Sequence, residues 1–460
     1  MQTAYIIILC AFKSNEAFVS YCMLGWRSKK IRKYTRYGFY LVVFGFCLVV
    51  LSLSLYFSLT PIKVIHILAR EVTLEGIEFI IEHFYDPWSQ KRKVAYTGPT
   101  IQLRPGAIDN PKALRSFLQE KGLMVENVYF YNYFPQNSLY QFVYAPFDQM
   151  RRKLALQEYG LGEIWQKYKN NDFQMSLALM SYVKSLWKHN ADKGFDPRHF
   201  DAFKMIELGR QGKGFWCQVY AMTYVELASY LGLPARVVAL SQDGYFLGHA
   251  VVEVWSNIWN KWFVVDPDFN IYYVRNSVPL NAIELHSIWK NHKEKEVSMI
   301  KLSPRPKGYD VEMRSKHNLL EYYQYVRIDL RNDYHWNIFP RGHPAISDEN
   351  TLLWYDEFLK PILSFEKKTS KLQDFYWPLN YVYIQLFPLG ESDLRFKVFF
   401  STQTPWFSHF EIKVNGDSFT SRANFWEWSL VRGQNYLRIC PVNKAGVVGI
   451  CSEIFLILEN

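Results

Sequence analysis

The chain has 460 residues, so we expect more than one hydrophobic core. Its composition of 49% apolar, 18% aromatic and 21% charged residues excludes disordered and collagen-like proteins. The net charge is +10, and seven Lys and Arg against one Glu within residues 1–36 account for +6 of it. The remaining charge forms no basic stripe interleaved with aromatic residues, so nucleic acid is not an expected partner.

An uncharged segment follows the basic N-terminus. Residues 37–59 number 23 and, at about 1.5 Å per residue, cover a hydrocarbon layer of ~30 Å. The basic cluster at 27–36 fixes that end in the cytoplasm, so the body after about residue 60 is expected on the other side. We predict a single-pass membrane protein whose body lies in a periplasm, since a short basic tail and one anchor suit a bacterial inner membrane. A cleaved signal peptide is the alternative, and Met23 is an alternative start.

Three cysteines lie in the part predicted to be translocated. Cys440 and Cys451 flank a turn-rich decapeptide between two predicted strands, so a hairpin disulfide is a candidate pairing in an oxidising compartment. That pairing leaves Cys217 without a partner. An unpaired cysteine of this kind is either a reactive thiol or a small buried hydrophobic residue.

The order of predicted elements gives an α+β class with several domains. Leu430, Gly433 and Tyr436 have the spacing of a tyrosine corner, which is typical of fibronectin-type or immunoglobulin-like sandwiches. The predicted organisation is a cytoplasmic tail (1–36), a transmembrane helix (37–59), a small mixed α/β module (60–146), helices followed by an antiparallel sheet (147–300), an unassigned connection (301–372) and an antiparallel β-sandwich (373–460).

The first chemically informative residue is Cys217, in the first turn of a helix predicted from about Trp216 to Gly232. Unpaired N–H groups and the positive end of the helix dipole favour a thiolate at this position. Cys217 is therefore a candidate nucleophile. The alternative is that Cys217 belongs to a stripe of small residues, with Ala221, Val225 and Ala228, that packs the helix against a sheet.

His249 and Asp266 fall on two strands predicted to form a hairpin. If the hairpin has a four-residue loop centred between Asn257 and Ile258, the two residues lie directly opposite each other with Cβ atoms roughly 4.5–5.5 Å apart. A carboxylate would then fix the imidazole tautomer and leave the other nitrogen to take a proton from a thiol. A different loop length or a bulge would change this register.

Four sequence blocks surround these residues: GFWCQVYA (214–221), LGLPARVV (231–238), GHAVVEVW (248–255) and KWFVVDP (261–267). Together they resemble the transglutaminase-like superfamily in order and approximate spacing, over roughly residues 150–275. The resemblance implies a papain-like core in which Cys217 is the nucleophile, His249 the general base and acid, and Asp266 the residue that orients the imidazole.

Three further residues are candidate accessories. Gln211 lies six positions before Cys217, the spacing that papain-like proteases use for an oxyanion-hole glutamine, although a loop residue is the alternative. Trp216 precedes the nucleophile, whereas many animal transglutaminases have a tryptophan directly after it, so their oxyanion arrangement and calcium dependence do not transfer. Glu253 shares a strand face with His249 and is a second candidate orienting residue.

We predict neither a metal nor a cofactor. Asp266, Asp268 and Asn270 resemble the start of a calcium loop, but Ile271 occupies the position that requires glycine and Ser277 the position of the closing carboxylate.

The leading hypothesis is a membrane-anchored thiol enzyme acting on amide bonds of a protein, peptide or cell-envelope glycoconjugate, by hydrolysis or acyl transfer. The alternative is a non-catalytic scaffold of the same fold that binds an envelope protein or glycan, for which the high aromatic content is the supporting feature. Thiol reactivity of Cys217 distinguishes the two.

Overall fold

The computed structural model describes residues 107–122, 127–129, 142–190, 200–244, 248–302, 319–333, 351–356, 359, 367–390 and 394–458. These residues belong to one compact unit, 78–460. The predicted cytoplasmic tail, the predicted transmembrane helix, Met23 and most of the predicted module 60–146 lie outside the described residues. Within the described ranges, no helix is both long enough and apolar enough to cross a bilayer.

Helices dominate the first half of the described chain and strands the second. The α-helices are α1 (Pro111–Glu120), α2 (Gln149–Glu158), α3 (Leu161–Tyr168), α4 (Asp172–Ser185), α5 (Ala202–Arg210), α6 (Cys217–Tyr230), α7 (Ala282–Lys290) and α8 (Leu372–Phe375). The strands are β1 (Asn127–Tyr129), β2 (Ala235–Ser241), β3 (Gly248–Ser256), β4 (Lys261–Asp266), β5 (Ile271–Arg275), β6 (Val278–Pro279), β7 (Ser298–Lys301), β8 (Tyr325–Asp329), β9 (Thr351–Trp354), β10 (Lys368–Thr369), β11 (Val382–Pro388), β12 (Arg395–Thr402), β13 (Phe407–Val414), β14 (Asp417–Ser421), β15 (Phe425–Ser429), β16 (Gly433–Asn443) and β17 (Ser452–Leu458).

Helix α6 is the central helix, and every residue after Cys217 in it is buried. A helix that is buried on all sides is stable only inside a core. Its C-terminus is closed by Gly232, which has a φ of +75° and donates to Ser229, while Leu233 donates to Ala228. These are the two hydrogen bonds of a Schellman motif, so the stop predicted at this glycine is confirmed.

A largely antiparallel sheet follows α6, as the sequence predicted. Among the described residues it has nine strands in the order β10-β9-β8-β2-β3-β4-β5-β6, with β7 also paired to β5, and only β9 and β10 run parallel. Strands β8, β9 and β10 come from the connection at 301–372 that the sequence left unassigned. This connection therefore widens the sheet on the far side of β2.

The sheet is buried on both faces. One face carries Val252, Val254 and Val265 and packs against α6 and the neighbouring helices. The other face carries Trp262 and Val264 and is covered by α7 and by aromatic side chains that arrive from the chain after residue 319. Burial on both faces explains why these strands read as almost continuous apolar runs in the sequence.

The C-terminal region is a two-sheet β-sandwich. Its sheets have the strand orders β1-β17-β16-β13-β14 and β11-β12-β15. Strand β1 and helix α1, which the sequence placed in the module 60–146, join this layer: β1 pairs with β17, and Leu114 and Leu118 enter its core. The predicted α+β class is thus confirmed for the described residues.

The predicted tyrosine corner is wrong. Tyr436 is half-buried, and its hydroxyl hydrogen bonds to Glu453 on the neighbouring strand. The corner is instead closed by the fully buried Asn435, whose side chain accepts from Val431 N and donates to the carbonyl oxygens of Val431 and Gly433. An amide supplies both a donor and an acceptor to this turn, which a phenol at the next position, on the opposite face of the strand, cannot do.

Cys440 and Cys451 form a disulfide, as their spacing predicted. The two residues are 11 apart in sequence, and closing such a loop removes about 3 kcal/mol of chain entropy from the unfolded state. We therefore expect the double substitution Cys440→Ala and Cys451→Ala to lower the free energy of unfolding by about 3 kcal/mol, measured by urea denaturation. Wild-type protein unfolded in the presence of a reductant is the control and should show the same loss; equal stability of oxidised and reduced protein would contradict the prediction.

Candidate active site

Cys217 is the first residue of α6 and is partly exposed, whereas the residues behind it are buried. The N-cap residue, Trp216, makes no side-chain cap hydrogen bond. The first N–H groups of a helix have no partner within the helix. The thiol is therefore accessible and stands beside backbone donors suited to a developing negative charge.

His249 and Asp266 are in direct contact. His249 Nε2 lies 2.7 Å from Asp266 Oδ2, and Asp266 is almost completely buried. The other oxygen, Oδ1, accepts from the backbone N–H groups of Asp268 and Phe269 at 3.0 and 3.1 Å. One carboxylate therefore fixes both the imidazole and the turn that follows β4. Because Nε2 is taken, Nδ1 is the nitrogen left to exchange a proton with Cys217.

The predicted register of this hairpin is wrong by two residues. Ser256 pairs with Lys261, so the loop runs from 257 to 260. Asn260 has a φ of +53°, a conformation that asparagine tolerates well, and it ends a four-residue loop that lies one residue beyond the predicted one. Asp172 of α4 holds the turn by accepting from Ser256 Oγ at 3.0 Å and from the N–H of Asn257.

A shift of two residues keeps every side chain on the same face. His249 and Asp266 therefore still meet, but as diagonal neighbours rather than as directly opposed residues. The predicted contact between His249 and Asp266 is therefore present, although the strands pair in a different register.

The pKa of His249 is raised well above its ordinary value. Burial by itself would lower it, but the charge of Asp266 and hydrogen bonds to Asp266 and to Cys217 outweigh that effect. The imidazole therefore retains its proton readily beside the thiol. Such an environment favours a thiolate–imidazolium pair.

A second carboxylate lies beside the same two residues. Cys217 Sγ, a ring nitrogen of His249 and an oxygen of Asp268 are all within 4.8 Å of one another. Asp268 is buried and is hydrogen bonded to His189 Nδ1, and its Oδ1 lies 3.7 Å from Lys184 Nζ. Thiolate, imidazole and carboxylate are ligands that zinc accepts, so these three residues could hold a metal ion. The ammonium of Lys184 opposes a cation there, and the arrangement suits thiol chemistry better.

Two of the three candidate accessory residues are not placed where the role proposed for them requires. Gln211 is exposed at the C-cap of α5, where its backbone N–H donates to Glu207. Glu253 does not orient His249, because it is fully buried in an ion pair with Arg236. Trp216 is partly buried against the helical core beside Cys217.

No sequence pattern pointed to several neighbours of the site. The rings of Phe269 and Tyr322 lie 5.2 and 5.7 Å from the imidazole of His249. Tyr322 comes from the connection that the sequence left unassigned, so no spacing pointed to it. His189 and Lys184 lie in a segment whose sequence shows helical periodicity but no motif. For Asp268 the sequence pattern offers only a resemblance to the start of a calcium loop.

Comparison with known proteins bears on this geometry. Residues 163–267 match the family model "Transglutaminase-like superfamily". No curated protein sequence matches the chain significantly. Among solved structures, red sea bream transglutaminase is similar, with 9% sequence identity, a TM-score of 0.21, and coverage of 67% of this chain and 71% of that one. So low a TM-score supports no inference about function. Residues 163–267, which contain Cys217, His249 and Asp266, are therefore similar to a transglutaminase-like superfamily domain.

Proposed function

We propose that this chain is a membrane-anchored thiol enzyme that acts on amide bonds outside the cytoplasm. The observation that carries the proposal is the convergence of a partly exposed thiol, Cys217, with His249, an imidazole held by the buried carboxylate of Asp266. A scaffold needs neither an accessible thiol nor an imidazole whose pKa is raised beside it.

The reaction follows from the positions of these groups. Cys217 Sγ attacks the amide carbonyl, and the first N–H groups of α6 stabilise the resulting oxyanion. His249 donates its proton to the departing amine, and a thioester remains on Cys217. His249 then takes a proton from water or from an acceptor amine, which attacks the thioester and regenerates the thiol. Asp266 keeps the imidazole in the tautomer that both steps need.

The location belongs to the same proposal. The uncharged segment 37–59 behind a basic cluster suits one transmembrane helix with the body on the far side. The disulfide between Cys440 and Cys451 fits an oxidising compartment, because such bonds are rare in a reducing cytosol. A periplasm meets both conditions. The substrate class would then be a protein, peptide or glycoconjugate of the cell envelope.

The test uses a glutamine-containing polypeptide with a fluorescent primary amine and the full-length chain. Ammonia release, amine incorporation and new peptide N-termini separate amidase, acyltransferase and peptidase activity. We expect Cys217→Ser to reduce whichever activity is found by at least about 1,000-fold, since a serine hydroxyl is a far weaker nucleophile in this setting. The control is His409→Ala on β13. Full activity in Cys217→Ser would end the proposal, and an unreactive thiol would favour the scaffold.

A further inference from the structure

We propose that His189 and Lys184 are positioning residues of this site, acting through Asp268 to hold the turn after β4 against the segment that leads into Cys217. This inference rests on the proposed function and adds to it a set of residues outside the Cys217–His249–Asp266 group. The contacts of Asp268 and those of the segment around His189 carry it.

The first contacts tie Asp268 to His189. Nδ1 of His189 lies 2.8 and 3.0 Å from the two carboxylate oxygens of Asp268. The carboxylate is 2% exposed and the imidazole 28% exposed, so a buried negative charge is bound by a ring that reaches the surface. Buried carboxylates need such partners, because desolvation without them is costly.

Lys184, near the end of α4, binds the same residue in two ways. Its Nζ donates to the carbonyl oxygen of Asp268 and lies 3.7 Å from Oδ1. Since the N–H of Asp268 already donates to Asp266, both the main chain and the side chain of Asp268 are fixed. The turn that presents Asp266 to His249 is thus attached to α4 as well as to His189.

The segment around His189 is itself attached to the approach to Cys217. Phe215 N donates to Lys188 O at 3.0 Å, and Asn190 N donates to Phe215 O at 2.9 Å. At Gly214 a Cβ would lie 2.5 Å from Lys188 O, so only glycine allows this close approach. Tyr220, in the first turn of α6, donates from its hydroxyl to Trp187 O at 2.7 Å. His189 therefore has a fixed position relative to Cys217.

The contact between His189 and Asp268 thus joins the part of the chain that sets Cys217 to the part that sets Asp266 and His249. The titratable groups beside Asp268 are Lys184, His189, Cys217, His249 and Asp266, whose Oδ1 accepts from the N–H of Asp268. The ring of Tyr220 lies beneath Lys184, 5.1 Å from Nζ. Without His189, the Asp268 carboxylate loses its hydrogen-bond donor while it remains within 4.8 Å of the thiol and the imidazole. A misplaced negative charge there would oppose thiolate formation.

The test is the rate of iodoacetamide labelling of Cys217 as a function of pH in the full-length chain, which needs no substrate. We expect His189→Ala to slow labelling at neutral pH by about 10-fold and to move the pH profile upward, because small displacements of reacting groups have large effects on rate. His189→Asn should restore most of the rate, since the amide N–H can donate to Asp268. The matched control, His409→Ala, should label like the wild type.

A merely structural role of His189 predicts a lower unfolding temperature with an unchanged labelling profile in the folded protein, or no rescue by asparagine; either result overturns the inference. If His249→Ala slows labelling and His189→Ala does not, the positioning role fails and the proposed function stands. If neither change slows labelling, both fail. Should His189→Ala not fold, Lys184→Met replaces it, with about 3-fold slower labelling expected and an unchanged rate decisive against the inference.

Discussion

Replacing His249 with alanine is expected to slow iodoacetamide labelling of Cys217 at pH 6.5 by about 100-fold. A free cysteine has a pKa near 8.5, so only about 1% is thiolate at that pH, and a protonated imidazole is the kind of partner that stabilises a thiolate. His249 is suited to this role because its pKa is raised. Burial alone would lower the pKa, but the charge of Asp266 and the hydrogen bonds to Asp266 and Cys217 outweigh that effect.

The pH dependence has a definite sign. The folded pKa of His249 lies above its unfolded value, so its contribution to stability is fully present below about pH 6.5 and is lost as pH rises through the folded pKa. The labelling advantage of the wild type should follow the same course, being largest below neutral pH and shrinking as pH rises. Asp266→Asn removes the charge that raises this pKa, so the labelling advantage should disappear at a lower pH than in the wild type.

The labelling of Cys217 can be measured separately from that of the other cysteines. Trypsin cleaves after Lys213 and after Arg236, so Cys217 falls in the peptide 214–236, which holds no other cysteine. Mass spectrometry of that peptide gives its rate in the full-length chain, with denatured protein as the reference and His409→Ala as the control. Equal labelling of wild type and His249→Ala, both no faster than the denatured chain, would show an ordinary cysteine and contradict the proposed function.

Replacing Glu253 with alanine is expected to lower the free energy of unfolding by about 3–5 kcal/mol, because it leaves a buried guanidinium without its counter-charge. Arg236 and Glu253 are both completely buried, and Glu253 Oε2 lies 3.0 and 2.6 Å from Arg236 Nε and Nη2. The other oxygen of Glu253 accepts at 2.8 Å from the N–H of Ala282, at the start of α7, and from the hydroxyl of Tyr376.

The neighbours of Arg236 add to this cost. Its guanidinium lies 4.5 Å from the ring centroid of Trp262 and 5.0 Å from that of Trp377. The ion pair therefore links the sheet to α7 and to the segment after α8, and its loss loosens three parts of the core together. Cation–π contacts in such desolvated places each contribute about 2 kcal/mol or more.

The measurement is equilibrium unfolding in urea, with Glu296→Ala as the control. Glu296 pairs with Arg275 at 2.7 Å, but both side chains are more than two-fifths exposed, so its loss should cost at most about 1 kcal/mol. The double substitution Arg236→Met and Glu253→Leu should recover most of the lost stability, because it removes both buried charges. A Glu253→Ala variant as stable as Glu296→Ala would show that the buried pair does not stabilise the fold.

Local sequence signals were sufficient for much of this protein. The start of α6 at Cys217, its stop at Gly232 and the strands β2 to β4 follow from short-range patterns of apolar residues and a glycine. The β13–β14 hairpin is specified by Asn415 and Gly416, both at positive φ, as a two-residue turn requires. Such features depend on residues close in sequence, so the sequence contains their whole explanation.

Other features depend on contacts between distant segments. The turn held by Asp172 sets the hairpin register two residues from the predicted one, and only the period of two along a strand kept His249 and Asp266 on one face. Glu253 lies on that face too, but its carboxylate is bound by Arg236 on β2 and does not contact His249. A strand pattern predicts the face of a residue, whereas its partner depends on which strand lies alongside.

By itself the sequence therefore determined the helix that begins at Cys217, the hairpin with its histidine and carboxylate, and the cysteine pair in the sandwich. Only the tertiary structure decided that Asp268 stands beside Cys217 with His189 behind it, and that Tyr322 flanks the imidazole. The physical reason is that packing brings these side chains together from segments with no fixed spacing. Their meeting is governed by the burial of a shared core and by the partners that buried charges require, and neither leaves a periodic trace in the chain.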